Sequence, residues 1–214
     1  RRGGGFFPPA GGTIKMTGGT ISGNAATQSN NDAGGGAIYM RGNGKIDISG
    51  SAEITGNSSS LDGGAILMGW GEINISGSAK INSNTASRWG GAICLRQDST
   101  QSRSLYMRGG EISGNTATGN GGVYIYRSGS VCELYGGKIE NNKASGNGGG
   151  IYINPSNSGL LRVGNTAVVK GNTVSGKANN VYLPSGKTLT IEIGMSKGAS
   201  IGITTANTSY PVAF

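Results

Sequence analysis

The sequence contains no histidine, which removes the commonest general base and the commonest metal ligand. Charged residues make up only 13% of it, about half the usual quarter. Four aspartates and six glutamates are all that remain for acid–base work. Of the aspartates, Asp32, Asp47, Asp62 and Asp98 fall in no shared column of the repeat described below. The two cysteines, Cys94 and Cys132, form no metal-binding motif. No run of about 18 apolar residues occurs, so this segment holds no membrane-spanning helix. No secretory signal is visible. The chain begins at Arg1 and ends at Phe214 inside a strand-like run, which suggests a segment of a longer protein.

Glycine is what the sequence has in excess, 43 of 214 residues. Glycine-rich, low-complexity text often signals disorder. Here apolar residues alternate strictly, and the net charge of +8 is spread along the chain, so an ordered β-structure is expected. Six glycine-flanked tetrads recur: AIYM at 37–40, AILM at 65–68, AICL at 92–95, VYIY at 123–126, IYIN at 151–154 and VYLP at 181–184. Anchored on Ile38, Ile66, Ile93, Val123, Ile151 and Val181, their spacings are 28, 27, 30, 28 and 30 residues. A repeat of this length is the signature of a solenoid. Frequent glycine and an apolar period of two exclude helical repeats.

Each repeat holds three alternating runs separated by glycine turns. The expected fold is all-β: a parallel β-helix solenoid with three short strands per coil, about 28 residues per coil and six to seven coils. It would occupy residues 13–205, with an N-terminal segment or cap at 1–12 and a C-terminal cap or lead into a next module at 206–214. Coils about 4.8 Å apart pair each strand with its copies above and below. The inward columns are consistent. The first run offers Ile38/Met40, Ile66/Met68, Ile93/Leu95, Val123/Ile125, Ile151/Ile153 and Val181/Leu183. The second runs from Ile14/Met16 to Leu189/Ile191 and places Cys132 inside as a small hydrophobe. The third offers Ile21, Ile54, Ile81, Ile112, Ile139 and Val169. A one-residue slip would turn every one of these to the other face.

Asparagine follows the third run in every coil, at Asn24, Asn57, Asn84, Asn115, Asn142 and Asn172. Asparagine tolerates left-handed geometry at tight turns, and stacked amides can bond one another along the axis. An outward slot of the third run reads Thr20, Glu53, Lys80, Glu111, Lys138, Val168; the alternation of sign suits a stacked ladder.

The GGAI text at 35–38, 63–66 and 90–93, with the turns ISGN, ITGN, INSN and VKGN, resembles repeats of bacterial surface proteins built on right-handed, pectate-lyase-like β-helices. It is similar in repeat style to the chlamydial polymorphic outer-membrane proteins, with Ile or Val where their second motif has Phe. Residues 179–205 also resemble the ends of β-helices in large, multi-module surface proteins of Gram-positive gut bacteria. The resemblance implies a secreted or wall-attached, adhesin-like module at the cell surface.

Two outward features compete with a purely structural role. The first run's outward slot holds Tyr39, Leu67, Cys94, Tyr124, Tyr152 and Tyr182, read as an exposed aromatic stripe. It suits either sugar or protein contact, or stacking between coils. In the turn after it lie Arg41, Trp70, Arg96 and Arg127, a line that suits an anionic glycan or phosphate-rich polymer, or simply solvated turns. Arg88-Trp89 marks the preceding turn in the same way. The glycine runs lack the Lys-Ser/Thr ending of a phosphate loop. The N-terminal Phe6-Phe7-Pro8-Pro9 suits a plug on the first coil.

The leading expectation is a non-enzymatic surface module, adhesin or stalk, that presents one face to a glycan, an anionic polymer or a host or cell-surface protein. A self-associating, end-to-end filament subunit and a polysaccharide lyase or hydrolase are the alternatives. No cofactor, metal or specific nucleic acid is expected.

Overall fold

The computed structural model describes residues 4–28, 34–96, 103–126, 129–156 and 159–206. It is a parallel β-solenoid with no helix among the described residues, and its coils follow the repeat read from the sequence. Strands Ile38–Ile48 and Ile66–Ile75 run through the first two slots of their coils without a break. In later coils the first slot stands alone, as in Ile93–Leu95 and Val123–Ile125. There the second and third slots fuse, in Arg103–Ser113 and Ser130–Glu140.

The register is the one the apolar columns require. Ile38 pairs with Ile66, Ile66 with Ile93, Ile93 with Val123, Val123 with Ile151 and Ile151 with Val181. In the second sheet Ile46, Ile73, Leu105, Cys132 and Leu161 succeed one another. In the third, Ile21, Ile54, Ile81, Ile112, Ile139 and Val169 do so. These side chains merge into one core threaded through every coil, because each strand buries every second residue against the same axis. Cys132 lies within it as a free thiol, and burial pushes its pKa up to about 12.

A fourth, narrow sheet completes each coil. Ala25–Ala26, Ser58–Ser59, Thr85–Ala86, Thr116–Ala117, Lys143–Ala144 and Thr173–Val174 stack in parallel just after the asparagine column. Two residues carry no alternation to read, so period alone cannot reveal them. Lys177–Ala178 then turns back antiparallel to Thr173–Val174 and closes that sheet's edge.

The asparagines form a continuous amide ladder. Asn84 Oδ1 accepts the backbone N–H of Asn57 at 2.9 Å and its Nδ2 at 3.0 Å, and the same pair of bonds links Asn84 to Asn115. The pattern runs from Asn24 to Asn172 and ends on Asn180, whose Oδ1 takes the bonds of a next coil's asparagine. Left-handed backbone does not fall on the ladder residues. It falls one residue earlier, at Gly23, Gly56, Ser83, Gly114, Asn141 and Gly171. The asparagines act through their side chains, and the preceding residue makes the turn.

The N-terminal segment lies against the first coil. Phe6 pairs in parallel with Ile38, and the Phe7 ring lies 5.2 Å from Tyr39, so these residues continue the first sheet by one tier. At the other end Ile203–Thr205 extends the same sheet beyond Val181–Leu183. Ile191, Ile193 and Met195 of the last coil are exposed.

Candidate functional site

The outward column of the first sheet is buried, not exposed. Tyr39, Leu67, Cys94, Tyr124 and Tyr152 form a second apolar cluster, and Tyr124 keeps only 2% of its surface. Two causes act together. Each ring is covered by its neighbours in the column: Tyr124 stacks on Tyr152 at 5.2 Å, and Tyr152 on Tyr182 at 5.7 Å. The glycine turn before each first strand also folds along the column. A Cβ on Gly34 would come within 2.6 Å of Leu67, and one on Gly90 within 2.9 Å of the Cys94 Cβ. Burial raises the Tyr124 and Tyr152 phenols above their ordinary pKa, so both stay protonated.

The column is broken at Cys94, and the break is filled from outside it. Trp89, from the turn entering the Ile93 strand, stacks on Tyr124 at 5.0 Å with 11° between the rings. The indole takes the place that an aromatic ring at position 94 would have. Gly119 makes this passage, since a Cβ there would meet Trp89 Cδ1 at 2.7 Å. Tyr126 extends the stack, 5.6 Å from Trp89 and 5.9 Å from Tyr124.

Arginines close over these rings. Arg88 lies 4.5 Å from the centre of the Trp89 ring; Arg96 lies 5.6 Å from both Trp89 and Tyr126. Both bind Asp62, whose side chain is 0% exposed. Arg88 donates from Nε and Nη2 to the two carboxylate oxygens at 2.7 and 2.8 Å, and Arg96 Nη1 donates to Oδ2 at 2.5 Å. The Asp62 hydrogen bonds raise the Arg88 pKa. A buried carboxylate held by two guanidiniums fixes both arginines in place. Arg88, with 26% of its side chain exposed, and half-buried Trp89 and Tyr126 form the outer surface of the cluster.

The expected arginine line is therefore split. Arg96 joins the ring column. Trp70 pairs with Asn43, one step further along the strand, and Arg41 follows Met40, two coils from Arg96. Arg127 lies outside the described residues, as do Asp32 and Asp98. Asp47 is held by Lys45 and Asn74 on the second sheet. Asp62 is the residue that reading the sequence missed. Its signal was positional: Asp62, Trp89, Asn120 and Asn147 each precede a Gly-Gly pair, and two of the four depart from asparagine in adjacent coils.

Residues 78–96 and 138–154 match the family model of the Chlamydia polymorphic membrane protein repeat. Its repeats are related to that family's. Both segments run from a third-sheet strand through the ladder asparagine and the glycine turn to the next first-sheet strand, and the first spans Asn84, Arg88, Trp89, Cys94 and Arg96. The inward third-sheet positions hold Ile81 and Ile139, packed in the core. The family is a repeat of bacterial outer-membrane and surface proteins and not an enzyme family. No curated protein and no solved structure matches the chain.

Proposed function

We propose that the chain is a non-enzymatic, adhesin-like module exposed outside the bacterial cell, and that it binds a protein partner through Arg88, Trp89, Arg96 and Tyr126. The observation behind this reading is where the repeat is broken. The scaffold columns hold from coil to coil, whereas the departures at Asp62, Trp89, Cys94, Arg96 and Tyr126 converge on one cluster. Tryptophan, tyrosine and arginine at a partly desolvated patch are the residues that carry binding energy in protein interfaces. Their side chains are already immobilised by stacking and by Asp62, which lowers the entropic cost of binding.

The test is attachment of the labelled module to cells or extracellular matrix. Trp89→Ala and Arg88→Ala should each weaken attachment by about tenfold, the usual effect of truncating a binding hot spot. A surface control, Lys170→Ala, should leave it unchanged. Protease treatment of the target should remove the binding. Loss on glycosidase treatment alone would replace the protein partner with a glycan, and equal attachment by all variants would remove this cluster from consideration.

A further inference from the structure

The second sheet carries a cluster that neither the repeat nor the ring column explains. Tyr106, Glu133 and Arg162 stand in one outward column. Beside them, the Arg108 guanidinium lies 5.7 Å from the ring centres of both Tyr106 and Tyr135. Tyr135 is the extra residue of a β-bulge: Met107 pairs with Leu134, but Arg108 pairs with Gly136. Bulges re-aim a side chain, and this one sets the Tyr135 ring against a guanidinium of the neighbouring coil.

The charges here are unevenly matched. Arg162 binds Glu133 at 3.0 Å and approaches Glu192 at 3.7 Å. Tyr135 donates its hydroxyl hydrogen to Glu192, and burial together with this bond raises its pKa to about 12, so it remains a donor. Both carboxylates are thus engaged. Arg108 is exposed and has no carboxylate partner among the described residues. It is a cation held by two rings, with its hydrogen-bond donors facing solvent.

We propose that Arg108, Tyr106 and Tyr135 form a binding site for an acidic glycan. A planar guanidinium binds an oxyanion by two parallel hydrogen bonds, and holding it against rings reduces the freedom it loses on binding. The tyrosine rings offer apolar faces to the C–H faces of a sugar, and Glu192 accepts hydrogen bonds from its hydroxyls. The net charge of +8 draws polyanions to the surface. This site lies on strands Arg103–Ser113 and Ser130–Glu140, apart from the Ile93–Leu95 and Val123–Ile125 strands that carry the Trp89 cluster, and does not rest on the function proposed there.

Calorimetric titration with alginate, dextran sulfate and neutral dextran tests it. The protein should bind alginate and not dextran. Arg108→Ala should weaken binding by about tenfold and Arg108→Lys should restore only part of it, because an ammonium lacks the planar fork. Tyr135→Ala should weaken it less. Lys170→Ala should bind like the parent. Arg108-dependent binding of dextran sulfate in place of alginate would support the site and assign sulfate as its oxyanion. Failure to bind either polyanion, equal binding of dextran, or an equal loss in Lys170→Ala would overturn the proposal.

Discussion

Two columns run along the solenoid, and they differ in how strictly they repeat. The asparagine column keeps one residue type from Asn24 to Asn172 and even recruits Asn180 to finish. The outward column of the first sheet changes from Tyr39 to Leu67 to Cys94 before returning to tyrosine. Both are buried. The asparagine column cannot vary because each amide satisfies backbone groups in its own coil and in the preceding one and donates to the next asparagine's side-chain oxygen, and no other side chain offers that set. The ring column needs only apolar volume at each tier, so it can drop a ring where a neighbouring turn supplies one. Its freedom is what admits Trp89 and, with it, the two arginines.

That contrast can be broken most severely at the ladder. Asn115→Ala removes the acceptor of the Asn84 N–H and the donor to the carbonyls of Ile81 and Ser113. At about 1–3 kcal/mol for each buried group left unpaired, the loss should reach about 4 kcal/mol in urea unfolding. In the ring column Tyr124→Ala should cost about 3 kcal/mol by opening a cavity between Trp89 and Tyr152. Tyr124→Phe forfeits only the 3.3 Å bond from Asn154 Nδ2 and should cost less than about 1 kcal/mol. A Tyr124→Phe variant as damaging as Tyr124→Ala would show that the hydroxyl, not the ring, matters.

Restoring the missing ring sharpens the comparison. Cys94→Tyr puts two rings in one place, and should cost about 1–3 kcal/mol by overpacking. It should also expel Trp89, read as a red shift of its fluorescence in a Trp70→Phe background. An unshifted spectrum would contradict the view that Trp89 fills the Cys94 tier. The smallest effect lies on the exposed charge ladder, where Glu53, Lys80, Glu111 and Lys138 are in register. Glu111→Lys stacks three lysines and should cost about 0.5–1 kcal/mol at low salt, less at high salt.

The strict columns were legible in the sequence, because an apolar period of two and a repeat near 28 residues leave one register in which like stacks on like. The parts that did not follow from periodicity depend on contacts between turns. Ala86 and Ala117 belong to strands too short to alternate. Asn180 reaches the ladder only because a hairpin folds back beneath Asn172. The tyrosine column faces outward as its period demands, yet it is buried, because its rings stack on one another and glycine turns run against Leu67 and Cys94 within it. Asp62 lies 26 residues before Arg88 and 34 before Arg96, and only coil stacking brings the three together.

The central claim is that the scaffold supplies stability and the break in the ring column supplies binding. It is tested most directly by measuring attachment and urea unfolding on one Arg88→Ala/Trp89→Ala variant beside Asn115→Ala. The double variant should lose attachment by well over about tenfold while the cooperative unfolding of the solenoid persists, and Asn115→Ala should lower stability while any molecules that remain folded still attach. Full attachment by the double variant, or a loss no greater than its unfolded fraction explains, would contradict the account.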